Sequence, residues 1–442
     1  MRDSTKSSLA MRPRPRTTRG DTAAEMTSVL DGAYHSPSFF ADPYAAYRRI
    51  REEDPVHWVD QWGVWVVTRI DDVSSTLRDY RRLSSFGRYH AFTTMISPDH
   101  QEELAAFIRY WTTSGFNESD PPAHTRVRTL VMKAFSPKAI DQLKSEIQRH
   151  VDELLDRVVD SGSIDLVADF ADELPAIVIA GMLGFPPENH DKYKRWTADY
   201  VAFIGDGGPE LDSMLRSQQA VLEFHEFLAQ QIEDRRRHPR DDLLSRLVLA
   251  EERGDQLTNF ELLAVCLDLL TGGAATTTNL LCVGMLTLLR HPDQLEALRL
   301  DRSLIPSAVE EILRYEPPFQ LDIRLAAESF ELRGKSIEKG QIVRMAIGAA
   351  NRDPSVFSDP DRFDIRRSPN KHVTFGLGPH FCAGFHLARI ELCIAFETLL
   401  NRLRDVRLAD EAGVNWIESY AVRGVLALPL EFEPAARPTE LN

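Results

Sequence analysis

Residues 375–389 read FGLGPHFCAGFHLAR, a glycine-rich turn that runs into a helix, and the rest of the chain is best read outward from Cys382 within it. A thiolate needs stabilisation before it can act as ligand or nucleophile, and the free N–H groups of a helix N-terminus supply it. Gly376, Gly378 and Gly384 permit backbone angles closed to other residues and let a flat ligand approach the main chain. Leu387, Ile390, Ile394 and Phe396 continue at roughly helical spacing, which places Cys382 just ahead of a buried helix. A sulfur held there can ligate an iron whose reactivity follows the electron density donated to it.

Other readings of the same residues exist. A lone Cys is most often a small buried hydrophobe. His380 and Cys382 make half of a zinc site, but no second Cys/His pair at ligand spacing completes it. A Cys/His protease lacks a matching base motif upstream. Against these, the phrase F-G-x-G-x-H-x-C-x-G is matched at every fixed position by Phe375, Gly376, Gly378, His380, Cys382 and Gly384. That phrase is the haem-binding loop of the cytochrome P450 superfamily, which the chain resembles. The resemblance implies a mainly α fold with a smaller β region in one large domain. It also implies haem b bound through Cys382, with Gly376, Gly378 and Gly384 around it.

Length alone suggests about three domains, yet no linker, repeat or low-complexity break follows residue 30. One domain over residues 31–442 is therefore expected, behind a disordered tail over residues 1–30. That tail is rich in Arg, Pro, Ser and Thr and lacks the apolar core of a signal peptide. Without an N-terminal membrane anchor, the chain resembles the soluble, bacterial type of the family. With 43% hydrophobic residues it can bury a sizeable core, and a net charge of −15 argues against nucleic acid as partner. Its four cysteines are not at disulfide-framework spacing, which suits a reducing cytoplasm.

Residues 262–289 carry a single charge, Asp268, and imitate a membrane span. A capping box at Thr258 and Glu261, and the interruption at Gly272, Gly273 and three threonines, favour a central helix buried in a water-soluble fold. Two adjacent glycines in a helix cost about 1 kcal/mol each relative to alanine, and such a cost often marks a local distortion at a functional site. In the P450 family this is the oxygen-binding groove, which implies a catalytic place for Thr276 and backbone room at Gly272 and Gly273. The family's acid before that threonine is replaced by Ala275, which puts ordinary proton delivery in doubt. Asp268 lies about two turns earlier on the same stripe. It is expected to face the pocket and either pair a polar or cationic substrate group or serve a water relay; the alternative is an acid satisfied by a neighbouring Arg.

The remaining pattern fits the family in order. A helix is read over 42–54, a hairpin over 56–68, a helix over 71–79 and an irregular, aromatic stretch over 84–116. His124 and Arg128 stand at i, i+4 on a helix opened by Asp120-Pro121-Pro122. That spacing alone also suits a basic surface stripe. The resemblance makes these two, with His380 and Arg324, the partners of the haem propionates, chemistry that suits a planar guanidinium. Arg126 and Lys133 fall on other faces and offer a patch for an acidic redox protein. Further helices are read over 137–160, 169–182, 188–204 and 211–237, the last two implied by the resemblance to form a lid. Glu311 and Arg314 resemble the family's E-x-x-R pair, with Arg362 as third member of a structural network. Residues 319–332 read as a strand pair and 343–350 as a buried strand, and 420–429 resembles the family's terminal hairpin, whose tip touches substrate. Thr271, Phe319, Leu321, Ile323 and Phe203 are the expected pocket residues.

The resemblance thus implies a haem-thiolate monooxygenase that inserts one oxygen atom from O2 into a small organic substrate. It would act as a cytoplasmic monomer supplied by a ferredoxin and an NAD(P)H-dependent ferredoxin reductase. Two alternatives follow from Ala275 and from the limits of a motif. One is a peroxide-driven or atypical P450 catalysing coupling, desaturation or rearrangement. The other is a haem-thiolate binding or sensor protein without turnover.

Overall fold

The computed structural model describes residues 32, 38–93, 96–113, 115–135, 140–201, 210–252, 255–410 and 413–434. The expected tail over residues 1–30 and the pocket candidate Phe203 lie outside the described residues. Helices dominate: α1 (Tyr44–Glu53), α2 (Ile70–Arg78), α3 (Ala105–Thr112), α4 (Ala123–Ala134), α5 (Lys144–Asp156), α6 (Leu174–Met182), α7 (His190–Val201), α8 (Leu211–Arg237), α9 (Asn259–Leu289), α10 (Ile305–Tyr315) and α11 (Phe385–Arg402).

α9 is the axis of the fold. Its 31 residues span about 46 Å. Thr258 and Glu261 close the expected capping box, with Thr258 N–H donating to Glu261 at 2.8 Å. Leucines are buried on every side of it, which removes the reason for a membrane. At Gly284 a β-carbon would stand 2.8 Å from Phe396 of α11 and 3.0 Å from Ile312 of α10. Only a glycine lets the three helices cross this closely. The helix runs unbroken through Gly272 and Gly273, so the expected local distortion is not a break in the helix.

The larger sheet has five strands in the order β1 (Val56–Val59), β2 (Val64–Val67), β6 (Ile342–Ala346), β5 (Leu321–Ala326) and β3 (Leu83–Ser84). β6 runs parallel to β2 and antiparallel to β5. One face packs Trp58, Trp65, Val73, Leu77, Met345 and Phe357 into a small core beside the main helical one. A second sheet joins β4 (Ser163–Asp165), β7 (Leu403–Leu408) and β8 (Pro429–Pro434).

Several expectations change. The stretch read as irregular contains α3, whose Phe107, Tyr110 and Trp111 are buried. β4 lies in the gap between the helices read over 137–160 and 169–182 and adds a strand to the expected elements. Residues 330–332 pair with 335–337 rather than with β5, which takes β6 and β3 as neighbours. The buried strand ends at Ala346, and 347–350 turn into a short helix. Residues 420–429 form isolated bridges, Val422 with Phe319 and Val425 with Trp416, in place of a hairpin.

Candidate active site

The Cys382 turn is held on three sides. Cys382 N–H donates to Phe375 O at 2.8 Å and closes the loop. Gly376 and Gly378 take φ of 68° and 73°, where side chains are strained. At Gly378 a β-carbon would also lie 2.9 Å from Leu77 O, at the end of α2. Gly384 has an ordinary φ of −87°, so close approach rather than unusual backbone is what its missing side chain permits. Arg389, one turn into α11, lies 4.5 Å over the Phe375 ring and bonds Glu310 of α10 at 2.6 and 2.8 Å. Burial pushes the Cys382 thiol up, while N–H groups of Gly384 and Phe385 and the Arg128 and Arg389 guanidiniums act the other way.

Behind this loop, Glu311 and Arg314 are both fully buried and doubly bonded at 2.7 and 2.8 Å. Arg314 also donates to the carbonyls of Asn351, Pro360 and Arg362. Arg362 therefore contributes its backbone only, and its side chain is exposed. The third side chain of the network is that of Arg367, whose Nε donates to Glu311 at 3.1 Å. The turn at Asp359 and Pro360 aims carbonyls, not side chains, at Arg314, which is why the sequence suggests the wrong arginine.

In front of Cys382 lies a cavity of about 340 Å³. α9 lines it with Asp268, Leu269, Gly272, Gly273, Thr276, Thr277 and Leu280, the stripe expected from a 3.6-residue period. Thr276 Oγ1 donates back to Gly272 O at 2.7 Å. Phe319, Asp322 and Arg324 line it from the β5 side. Leu321 and Ile323 do not: side chains alternate along a strand, so both turn away into the main core. Thr271 is likewise buried beside the stripe, its hydroxyl donating to Leu267 O at 2.8 Å. No residue of 420–429 is among the lining residues.

The polar end of the cavity gathers residues from four segments. The rings of His124 and His380 pack with centroids 4.0 Å apart, tilted 39° to each other. The buried Nε2 atoms of both lack a hydrogen-bond partner. Burial, then the neighbouring positive side chains, holds His124 down at about 4, and burial with His124 holds His380 at about 2. Arg128 Nη2 donates to Phe381 O at 2.5 Å, and Arg324 pairs with Asp322 at 2.8 Å. Arg126 is taken by Asp255 and Glu261, so it adds little net positive charge to a docking patch.

Sequence reading missed five participants. Arg88 bonds Glu118 at 2.6 and 3.1 Å and lies 3.8 Å from Asp322. It stands in an aperiodic stretch with nothing to flag it. Glu391 lines the cavity, fully buried, with Oε2 unpartnered, and burial pushes its carboxyl well up. An acid inside the apolar periodicity of α11 was the available signal. Tyr200 of α7 and the backbone of Asn117 meet Asp268, at 3.4 and 3.3 Å. Burial, then Glu118, pushes the Asp268 carboxyl up to about 7.

Comparison with known proteins agrees with this geometry. The family model described as Cytochrome P450 matches residues 93–409. The chain is 37% identical to the polyketide biosynthesis cytochrome P450 PksS of Bacillus subtilis (strain 168), over 90% of this chain and 97% of that one. It is 36% identical to the 6-deoxyerythronolide B hydroxylase of Saccharopolyspora erythraea, over 92% and 100% of the two. Among solved structures, P450BioI in complex with a hexadec-9Z-enoic acid ligated acyl carrier protein superposes with a TM-score of 0.82. It is 33% identical, over 90% of this chain and 99% of that one.

Proposed function

The chain belongs to the cytochrome P450 family, whose cofactor is haem b and whose activity is monooxygenation, and from that premise we propose the residue roles and the reaction partners. When bound, the haem supplies activation of O2 for transfer of one oxygen atom to a substrate C–H or C=C bond. Cys382 is proposed to hold its iron through the thiolate. The observation that carries this is a thiol at a helix N-terminus facing a cavity, in a loop whose two left-handed glycines keep side chains out of the way. A bound metal ion deprotonates a coordinating thiol and so offsets the cost of burial.

His124, Arg128, His380 and Arg324 are proposed to hold the two propionates. Two buried imidazole nitrogens without partners are costly unless a ligand acceptor satisfies them, and two guanidiniums stand beside them. Held neutral, the imidazoles each present one N–H to a carboxylate. Glu311, Arg314 and Arg367 are proposed as structural.

Thr276 is proposed to handle protons at Oγ1. Its hydroxyl now donates to Gly272 O, and rotating it frees that proton for a group in the cavity. The full reaction consumes O2, two electrons and two protons per oxygen atom inserted and releases water. With alanine at 275, the acids lining the cavity are Asp268, Asp322 and Glu391. Asp322 is tied to Arg324. Asp268 lies eight residues from Thr276, about 12 Å along the helix, so it reaches Thr276 only through water.

Electrons are proposed to come from a ferredoxin and its reductase, with the protein a monomer in the cytoplasm; four free cysteines suit that compartment. The substrate is proposed to be a small, mostly apolar molecule of the size that such a cavity admits. A peroxide-driven reaction is the second reading, favoured by Ala275. The test reconstitutes the haem protein with ferredoxin, reductase and NADPH, and separately with hydrogen peroxide. Product formation tied to NADPH use supports the first reading, and equal or greater peroxide-supported turnover supports the second.

A further inference from the structure

The three carboxyl groups that line the cavity are in different electrostatic states. Asp322 is neutralised by Arg324 at 2.8 Å, with Arg88 at 3.8 Å. Glu391 is fully buried, and burial pushes its carboxyl well above the ordinary carboxylate range. Asp268 is half-buried, opens on the cavity and accepts two long hydrogen bonds, from Asn117 N–H at 3.3 Å and Tyr200 O–H at 3.4 Å. Among the described residues, no Lys, Arg or His nitrogen lies within 4 Å of it.

The nearby cations are already committed. Arg88 is bonded through two nitrogens to Glu118. Arg324 is bonded to Asp322, and Arg324 and Arg128 are the groups assigned above to the propionates. Adding two propionates to this end of the cavity leaves acids in excess, and Asp268 without a counter-charge. A buried carboxylate in that position is costly until a cation pairs with it. Tyr89 and Phe116 line the cavity as well, with Arg88 over the Tyr89 ring and His124 stacked on Phe116.

We infer that Asp268 is a specificity-determining residue that pairs with a protonated or quaternary amine of the substrate, so that the enzyme selects amphiphilic organic cations. The inference rests on the monooxygenase reading for what happens to the bound molecule, and concerns only which molecules bind. Because Asp268 is about 12 Å along α9 from Thr276, the amine sits on the order of 10 Å from the atom oxidised. The groups facing Asp268 are the Asn117 amide, Tyr89, Tyr110, Tyr200, Glu118 and Arg88. Burial raises all three tyrosines, which therefore stay neutral, and Glu118 stays on Arg88. Affinity for a permanently charged ammonium should accordingly rise with pH through about 7, where Asp268 loses its proton.

The test uses the haem-loaded full chain and two probes of similar length, decyltrimethylammonium and the uncharged N-decylacetamide. Affinities are measured by calorimetry, and the ferric spin state is followed in parallel. The expected result is a roughly tenfold preference for the cation in the wild type. Asp268→Asn should remove that preference, the cation's affinity falling much more than the neutral probe's, and Asp268→Glu should keep part of it. A wild type without preference, or an Asp268→Asn protein that keeps it, overturns the inference. The spectrum of the reduced, carbon monoxide-bound protein is recorded first. A thiolate spectrum without cation preference overturns only this inference. Loss of that spectrum counts against the monooxygenase reading, and calorimetry still scores the preference.

Discussion

Behind Cys382 and in front of it, the protein treats buried charge in opposite ways. Behind, Glu311 and Arg314 are fully buried and their own charged atoms are all matched: two side-chain bonds between them, three carbonyls on Arg314, and Arg367 and Asn370 on Glu311. In front, His124, His380 and Glu391 each keep a buried polar atom without a partner, and Asp268 has only long bonds. A fully satisfied network specifies one arrangement of the chain. An under-satisfied one stores demand that a ligand can meet. The first suits a part in folding and the second the binding role proposed above, although both are built from the same residue types.

Substitutions can break or sharpen that contrast. The largest effect is expected at the junction: Cys382→Ser should abolish both turnover and the strongly red-shifted Soret band of the reduced, carbon monoxide-bound protein. A retained band would end the ligand assignment. Next, Arg314→Ala should cost about 3–5 kcal/mol, because it leaves Glu311 as an uncompensated buried charge. Urea unfolding measures it, and a loss below about 1 kcal/mol would mean the network is not what holds the loop. Arg362→Ala, which removes only an exposed side chain, should change stability by less than about 0.5 kcal/mol.

On the other side, Ala275→Asp should restore a carboxyl beside Thr276 and raise, severalfold, the fraction of NADPH electrons recovered in product. Unchanged coupling would show that proton supply does not depend on that position. The smallest effect is expected at Glu391. Its carboxyl is raised in the folded state, so wild-type stability is fully present below the unfolded value of about 4.3 and is lost as pH rises above it. Glu391→Gln cannot titrate, so its stability relative to wild type should improve as the pH range is climbed from about 5. A constant difference across that range would place a charge partner beside Glu391.

Much of the site was legible before any coordinates. The Cys382 loop, the capped central helix and the stripe from Asp268 to Thr276 follow from local rules: glycine angles, capping and a 3.6-residue period. Errors arose where the deciding neighbour was distant in the chain. Leu321 and Ile323 were placed in the pocket because the strand's facing depends on β6 and β3, not on its own residues. The sequence points to Arg362 and does not flag Arg367, because only the folded turn at Asp359 reveals which groups point inward. Arg88 and Glu118, thirty residues apart, have no pattern that joins them.

The sequence by itself determined the family, the ligand loop and the loss of the acid at Ala275, since these are encoded in contiguous residues whose chemistry is local. Only the tertiary structure decided how each carboxyl is used. Asp268, Asp322 and Glu391 are chemically alike as letters. Their states diverge because burial and the approach of Arg324, Asn117 and Tyr200 from other elements set the energy of charging each one. That energy depends on what lies within a few ångströms in space, and residue spacing along the chain does not contain it.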